Sequence, residues 1–213
     1  MISESEINIR GMIKGLAIIP LFKFIQKHDL NWHAILTQLP DRCKAELSLL
    51  IKSQYTLHDF FPTPQDGLKL FSALRWYPIV ISNGFLVAIA RQMHFQCGVS
   101  LERGYYAIGH FTATHDLSGL LGYILRWGNI LQMLEMGEKI WKHYISEGEL
   151  IVISKAEGRI QFDIVCSVVL SEQQYVNQGW LAALLEKKEI AQYKVETMYL
   201  QLGGGTITHK IIW

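Results

Sequence analysis

The sequence predicts an α+β fold, in which the helical N-terminal two-thirds of the chain packs on a C-terminal twisted antiparallel sheet with the element order ββαββ. Three observations predict it. Apolar residues recur at helical spacing through the first two-thirds, the period changes to alternation at Gly148, and turn-forming residues separate the alternating runs. We treat 1–213 as a single domain, with an N-terminal helical extension at 1–65, a helical layer at 66–147 and the ββαββ part at 148–213.

The N-terminal part is expected to be a loose leader, 1–9, followed by three helices. Apolar residues at helical spacing place the first helix over 16–28, with Pro20 in its early part. Asn31 is a residue type that caps helices, so it predicts the start of a short second helix. The third helix starts at Pro40-Asp41, and its predicted apolar face consists of Leu47, Leu50 and Ile51.

The middle of the chain is predicted to be almost wholly helical after a loop at 55–65, in which Phe60 and Phe61 look exposed. Helices are predicted after Pro78, over 100–115, over 117–127 and, behind an Asn129 cap, over 130–144. The apolar run at 76–90 is about 15 residues long, whereas a bilayer span needs about 20. We therefore expect a buried helix there and no transmembrane segment.

The C-terminal part begins with a run rich in β-branched residues at 149–154. Alternate residues from Ile160 to Val168 are apolar, which predicts a strand with one buried face and makes Cys166 a core residue. A helix follows over 172–188, and its core candidates are Tyr175, Trp180, Leu181, Leu184 and Leu185. The last strands, 193–202 and 206–213, form a hairpin through Gly203-Gly204-Gly205. A strand follows these glycines and not a helix, so they do not predict a phosphate loop.

Composition argues against several classes of function. The formal net charge is +1 and the longest basic cluster is Lys187-Lys188, so we expect no nucleic-acid partner. The three cysteines are odd in number and widely spaced, which argues against a disulfide framework and favours a cytoplasmic location. The first six residues are polar and acidic, unlike a secretion signal.

The sequence has no arrangement of residues typical of catalysis, so we expect that the protein is not an enzyme. No Gly-x-Ser-x-Gly motif occurs, and no isolated acid in an apolar run suggests a shifted catalytic pKa. Glu135 and Glu138 lie beside lysines at spacings typical of surface ion pairs. Cys97, at a helix end, is interpreted as a buried or idle thiol, with a reactive or acylated thiol as the alternative.

Two histidines, His110 and His115, form the sharpest local feature. Residues five apart on an α-helix are about 140° apart around its axis, so these two side chains do not share a face. We favour a helix-end His115, capped or exposed near Asp116, and keep metal or haem ligation as the alternative.

A surplus of apolar side chains in the helical layer predicts a candidate hydrophobic pocket. Core packing, a dimer face and a pocket all explain the surplus, and we prefer them in that order. The residues are Phe85, Ile89, Met93, Tyr105, Phe111, Leu120, Leu121, Tyr123 and Ile124.

Several motifs occur together in a characteristic order. Residues 141–150 fit the pattern Trp-x-x-Tyr-x-x-x-Gly-x-Leu, and residues 179–185 fit Gly-Trp-Leu-x-x-x-Leu. With the opening at 13–40, Trp76-Tyr77-Pro78 and the terminal hairpin at 195–213, they resemble an uncharacterised bacterial family that is well represented in myxobacteria. That family is similar to a superfamily of haem-based nitric-oxide sensors, 4-vinyl-reductase-type domains and the Bet3-like subunits of the TRAPP complex. The resemblance implies a helical layer on a twisted sheet, ligand sensing or scaffolding, and often a homodimer.

The chain departs from this superfamily at its cofactor motifs. The haem sensors hold the porphyrin propionates with Tyr-x-Ser-x-Arg, and the nearest match, 144–148, has Gly148 where the arginine cation is needed. The vinyl-reductase-type sensors often carry zinc-ligating cysteines in the final hairpin, and residues 199–206 contain none. We therefore expect no cofactor, neither haem nor zinc.

Two functions remain open. The first is a non-catalytic sensory or regulatory domain that binds a small hydrophobic ligand and signals to a protein partner. The alternative is a dimerising scaffold or protein-interaction module that acts without a ligand. We expect a homodimer in either case.

Overall fold

The structure is a computed structural model. It describes residues 11–51, 57–116, 130–166, 170–201 and 205–213. The chain divides into two compact units, Met1–Gly104 and Tyr105–Trp213. The single-domain organisation stays a prediction. In the part of the chain that is described, no helix combines the length and apolar character needed to cross a bilayer.

The first unit is helical apart from one short pair of strands. Strand β1 (Met12–Lys14) pairs antiparallel with β2 (Trp76–Pro78), although more than sixty residues separate them in the chain. The helices are α1 (Gly15–Lys27), α2 (Trp32–Gln38), α3 (Asp41–Ile51), α4 (Leu57–Phe60), α5 (Pro64–Leu70) and α6 (Ile79–Cys97). Helix α7 (Leu101–Asp116) begins in this unit and continues into the second.

An aromatic cluster forms the centre of the first unit. The ring of Phe22 lies 5.6 Å from that of Trp32, 5.4 Å from Phe71 and 4.9 Å from Phe85. All four side chains are buried, and tilted ring pairs of this kind add to the stabilisation from burial alone. Phe85, one of the apolar residues in the candidate pocket, therefore packs in the core, which was the preferred interpretation of its position.

Local signals in the first unit are confirmed in part. Asn31 caps α2, since its side chain accepts a hydrogen bond from the Ala34 N–H at 3.0 Å. Phe61 was expected to be exposed, and that prediction is wrong: its side chain is only 2% exposed. The Phe61 carbonyl accepts a hydrogen bond from the Trp32 indole at 2.8 Å, so tertiary packing draws this loop residue inward.

The second unit pairs helices with a four-stranded antiparallel sheet. Its further elements are α8 (Ile130–Glu135), α9 (Gly137–Tyr144), β3 (Glu149–Ala156), β4 (Arg159–Cys166), α10 (Gln173–Lys187), β5 (Lys194–Gln201) and β6 (Gly205–Ile212). The strands lie in the order β3-β4-β6-β5. The coarse prediction of a mixed helix-and-sheet fold is therefore confirmed. The predicted helix at 117–127, the Asn129 cap, and Gly203 and Gly204 lie outside the described residues.

The core of the second unit lies between the helices and the inner face of the sheet. Ala113 of α7, Leu134 of α8 and Leu184 of α10 belong to one buried cluster with Ile160, Phe162, Ile164 and Ile211 of the strands. The strict alternation predicted for β4 is confirmed, because its buried positions are Ile160, Phe162, Ile164 and Cys166. The predicted helix over 130–144 is instead two helices that meet at Met136.

Candidate functional site

A carboxyl group lies at the end of α7 in the second unit. Asp116 is the last residue of this helix, and its Oδ1 atom is buried without a hydrogen-bond partner among the described residues. The side chain of Trp180, on α10, donates a hydrogen bond to this carboxyl. Burial raises the pKa of Asp116 to about 7, and the Trp180 bond opposes only part of that rise. A carboxyl of this kind changes between its neutral and charged forms near neutral pH.

The position of Asp116 in the fold adds to the effect of burial. The C-terminal end of a helix carries partial negative charge, so a carboxylate at the last residue of α7 is disfavoured there. Tyr144, the last residue of α9, adds a second polar group. Burial raises the pKa of Tyr144, and the charge on Asp116 raises it further. We call Asp116, Tyr144 and Trp180 the Asp116 cluster; it joins the ends of two helices to the middle of a third.

The Asp116 cluster can act on a ligand in two ways. The buried Oδ1 atom can accept a hydrogen bond from any donor that reaches it, since no group in the described ranges does so. In its neutral form the carboxyl can donate one. Perturbed acids of this type are enriched at functional sites, which makes this cluster the best candidate in the described part of the second unit.

Asp116 was not among the functional residues predicted from the sequence. Its neighbours Thr114 and His115 are polar, so the residue does not lie in a continuous apolar run. One signal was present: Asp116 is the only acidic residue between Glu102 and Glu135. An isolated acid within a long stretch otherwise free of carboxylates would have marked the position.

His110 belongs to a hydrogen-bond network and does not supply a free metal ligand. Its Nε2 atom lies 2.8 Å from Glu186 of α10, and the Tyr193 hydroxyl donates to the same carboxylate at 3.0 Å. The hydrogen bond from His110 lowers the pKa of Glu186. The network links α7, α10 and the segment before β5 at the surface, so its role in this geometry is to hold these elements together.

His209 is the one histidine that is fully buried. Its Nε2 atom faces the Asn177 amide nitrogen at 3.2 Å, and its Nδ1 atom lies 2.9 Å from the Thr197 hydroxyl. An amide NH₂ only donates, so Nε2 accepts and the imidazole is neutral. Burial accordingly lowers the pKa of His209 to about 3. The ring packs on Phe162 with centroids 5.2 Å apart, and both ring nitrogens are already engaged.

The two cysteines that the sequence singled out differ in environment. Cys97 is exposed and free, so it is not the buried thiol that the sequence suggested, and an idle thiol and a modifiable thiol both fit its position. Cys166 is buried in the sheet, as predicted. No group of three or more His, Cys, Asp or Glu side chains that could hold a metal ion occurs among the residues the structure describes.

The predicted pocket residues divide between the two units. Phe85, Ile89 and Met93 are buried in α6 of the first unit, and Tyr105 is buried in α7 at the start of the second. Phe111 is half-buried. Leu120, Leu121, Tyr123 and Ile124 lie outside the described residues. The pocket they would form together stays a prediction.

The first unit has an open polar groove of about 570 Å³. The side-chain amides of Gln92 and Gln96 line it: Gln92 donates to Gln96 at 3.1 Å, and Gln96 donates to the Asp29 carbonyl at 2.9 Å. Gln38, outside the lining, donates to Gln92 at 3.1 Å. Each of these donations ends on another protein group, so the network holds α2 and α6 together.

Gly148 stands where the haem-sensor motif would have arginine, and a backbone requirement explains the glycine. Its φ angle is +81°, in the left-handed region that glycine adopts most easily. A Cβ atom there would also lie 2.5 Å from that of Cys166. The turn into β3 therefore needs glycine at this position, whatever the chain binds.

A haem group needs a ligand for its iron and partners for its two propionates. All eight histidines are described; His115 is half-buried and adjoins the Asp116 cluster, so it is the one best placed to serve as an iron ligand. Propionate groups need cations, and the described arginines are all exposed: Arg42, Arg75, Arg91, Arg103 and Arg159. A haem in this chain would therefore hold its propionates towards solvent or with residues outside the described ranges.

Comparisons with known proteins identify the fold. No protein-family model matches the chain, and no curated protein matches it. Solved structures do. An oxygen-binding H-NOX domain related to soluble guanylate cyclases, in its oxygen complex, is 11% identical with a TM-score of 0.60, covering 94% of this chain and 94% of that one. The Fe(II) unliganded H-NOX protein from K. algicida is 11% identical with a TM-score of 0.56, covering 94% and 96%. A structure from work on haem redox potential and porphyrin distortion is 11% identical with a TM-score of 0.60, covering 94% and 100%.

One sequence-based expectation is wrong on this finding. We expected no cofactor, and the solved structures that share this fold include haem proteins. The expectation relied on a sequence motif, and at 11% identity a motif can be lost or displaced while the backbone is kept. Haem therefore returns as a candidate ligand, and the chain has the mixed helix-and-sheet fold of H-NOX domains.

Proposed function

We propose that this chain is a sensory domain that binds a small ligand and passes its ligand state to a protein partner without chemical turnover. The observation that carries the proposal is the fold, which matches H-NOX domains over 94% of the chain, one of them in an oxygen complex. The proposal includes membership of the wider superfamily with 4-vinyl-reductase-type and Bet3-like proteins. It also includes action in the cytoplasm, which the exposed free thiol of Cys97 supports.

The Asp116 cluster is the part of the described chain that would respond to the ligand. A ligand donor that reaches the buried Oδ1 atom of Asp116 would satisfy an atom that lacks a partner in the described part of the chain. Such a donor would favour the charged carboxylate, and an apolar ligand would favour the neutral acid. Trp180 links this change to α10, and Tyr144 links it to α9.

Haem is the first ligand to test, because the fold neighbours include haem proteins. Bound haem would supply an iron atom that coordinates a small diatomic molecule. Among the described residues His115 is the candidate to face the iron, and Asp116 is its immediate neighbour. A different small ligand remains compatible with the same fold.

The test combines native mass spectrometry of the purified full chain with haem titration followed by absorption near 400 nm. We expect one small molecule per chain, either haem or another compound. If haem is bound, His115→Ala should change the Soret band, whereas His143→Ala, an exposed control, should leave it unchanged. A chain that is isolated without a ligand, and that takes up neither haem nor any compound from a cell extract, would overturn the proposal.

A dimerising scaffold is the second candidate function. The observation that favours it is an open apolar sheet face in the second unit, where Ile151 is 43% and Met198 54% exposed. A scaffold would show no stoichiometric ligand in the same experiment.

A further inference from the structure

The sheet of the second unit has one covered face and one open face. Every second residue of β4 and β6 points into the core and is buried, including Phe162 and Ile207. The intervening residues of β4 and β6, and the β3 and β5 residues that pair with them, point the other way. The large apolar side chains on this side are 38–54% exposed: Ile151, Val165, Met198, Leu200 and Ile212. We call this second surface the open face.

The strand register arranges the open face in four rows that run from β3 through β4 and β6 to β5. The first row is Glu149, Val165, Thr206 and Leu200, and the second is Ile151, Asp163, Thr208 and Met198. The third is Ser154, Gln161, Lys210 and Glu196, and the fourth is Ala156, Arg159, Ile212 and Lys194. Directly paired residues share a face, so each row is a line of neighbouring side chains.

The charges on the open face are already balanced within it. Three acids, Glu149, Asp163 and Glu196, face three bases, Arg159, Lys194 and Lys210. Glu196 pairs with Lys194 at 2.6 Å and with Lys210 at 3.3 Å. Asp163 accepts a hydrogen bond from Thr208 at 2.8 Å. A face with no net charge has no particular complementarity to a strongly acidic or basic partner, and a second copy of itself is the natural match.

We propose that the open face is a homodimer interface in which two copies meet around a two-fold axis parallel to the strands. This rotation keeps each row opposite the same row and reverses the order of the strands, so β3 lies over β5 of the second copy. Ile151 then meets Met198 of the second copy, and Met198 meets Ile151, which is the reciprocal contact that two-fold symmetry requires. Gln161 meets Lys210 in the same way, and no charge lies directly over a like charge.

The other two-fold axis within this plane gives a poorer match. An axis perpendicular to the strands places the first row over the fourth and the second over the third. Leu200 would then meet Lys194, Met198 would meet Glu196, and Val165 would meet Arg159, and no two large apolar side chains would meet. The parallel axis also places charges over apolar groups, Glu149 over Leu200 and Arg159 over Ile212. It has fewer such contacts, each of which costs free energy, and it alone brings Ile151 and Met198 together, so the register favours the parallel axis.

The size of the open face predicts a reversible dimer. Strands of eight residues span about 26 Å, and four strands about 4.8 Å apart span about 19 Å, which gives a face of about 500 Å². Two such faces bury about 1,000 Å² in total, near the lower limit for specific interfaces. We therefore expect association that depends on concentration in the micromolar range.

The test is sedimentation equilibrium of the full chain and its variants between about 1 and 200 μM. The unmodified chain should form dimers at the upper end. Met198→Lys and Ile151→Asp should each raise the dissociation constant at least tenfold, because each places an unpaired charge against an apolar side chain. Leu49→Lys, at an apolar side chain 71% exposed in the first unit, is the control and should leave the dimer intact.

The double variant I151D/M198K distinguishes this arrangement from any other. In the proposed dimer each introduced lysine lies opposite an introduced aspartate, so the double variant should recover dimerisation lost in the single variants. A chain that stays monomeric at every concentration would overturn the proposal. So would single variants that dimerise like the unmodified chain, or a double variant that does not recover.

Discussion

Asp116 is an acid whose environment in the folded chain opposes its charged form. Its pKa is raised from 3.8 to about 7 by burial, so the folded state binds a proton that the unfolded state releases. Stability from this group is fully present below pH 3.8 and is lost as the pH rises through about 7.

We predict that Asp116→Asn stabilises the chain at pH 8 and has little effect at pH 4. Asparagine keeps an acceptor for Trp180 and cannot ionise. The gain at pH 8 should be about 1–3 kcal/mol, less than a full pKa shift would give, because the residue is partly exposed. Urea unfolding at the two pH values measures it. Asp41→Asn, which removes a charge from a side chain 89% exposed, is the control. Equal effects of Asp116→Asn at both pH values would contradict the assignment.

The pKa of His209 is shifted in the opposite direction from that of Asp116, so its effect on stability has the opposite dependence on pH. Burial lowers its pKa from 6.5 to about 3, so between these pH values the unfolded state binds a proton that the folded state does not bind. Stability from this group is present above pH 6.5 and is lost as the pH falls towards 3.

We predict that His209→Gln costs about 1–3 kcal/mol at pH 7, because glutamine does not reproduce both the Asn177 and the Thr197 hydrogen bonds. The difference from the unmodified chain should shrink as the pH falls to 5, since glutamine cannot be protonated. Chemical denaturation at the two pH values gives both numbers. His143→Gln, at an exposed position, should show no such convergence.

At the scale of residues, the sequence predicts what local chemistry decides. The Asn31 cap and the buried alternation from Ile160 onward depend on neighbours in the chain, and both are confirmed. Phe61 and Asp116 depend on residues far away, Trp32 for one and Trp180 for the other. No local pattern predicts the burial of either residue, although the lack of other acids between Glu102 and Glu135 singles out Asp116.

Helices α7 and α10 are in close contact, and each contributes a glycine, Gly109 and Gly179, to the place where they cross. A Cβ atom at Gly109 would collide with the Val176 carbonyl, and one at Gly179 would collide with the Tyr106 carbonyl. Both contacts are with backbone, which cannot rotate away as a side chain can. The crossing also lies beside the His110–Glu186 hydrogen bond, which spans the same two helices.

We predict that Gly109→Ala and Gly179→Ala each destabilise the chain by about 2–4 kcal/mol, because the added methyl group must push two helices apart. Gly104→Ala tests the same change elsewhere in α7. There a Cβ atom would lie 3.5 Å from Ala90, at ordinary contact distance, and alanine is the better helix former. Thermal unfolding should show this control unchanged or stabilised. Destabilisation of all three variants alike would show that the crossing is not the cause.

Helices and strands with a long, regular period were predictable, and short ones were not. The long α6 and α7 and the strand β4 repeat their apolar residues often enough to identify the period. Strand β2 has three residues, and its partner β1 precedes it in the chain by more than sixty residues. A pairing over that distance leaves no local pattern. The break at Met136 between α8 and α9 is likewise not marked by proline.

At the scale of the whole molecule, the comparisons correct what motifs suggested. The fold class could be predicted because it depends on periodicity over many residues. The expectation of no cofactor was wrong, because it depended on single residues such as Gly148, whose backbone conformation requires glycine for another reason. At 11% identity the backbone is shared with haem domains while individual residues are not a guide.

The opposite shifts of Asp116 and His209 have a calorimetric consequence. Near pH 5.5 unfolding releases about one proton from Asp116, whose pKa falls from about 7 to 3.8, and takes up about one at His209, whose pKa rises from about 3 to 6.5. The two groups together exchange almost no protons with the solvent. The contribution of this pair to the difference in unfolding enthalpy between acetate and a buffer with a large ionisation enthalpy, such as imidazole, should therefore be close to zero. Asp116→Asn and His209→Gln should shift that difference in opposite directions.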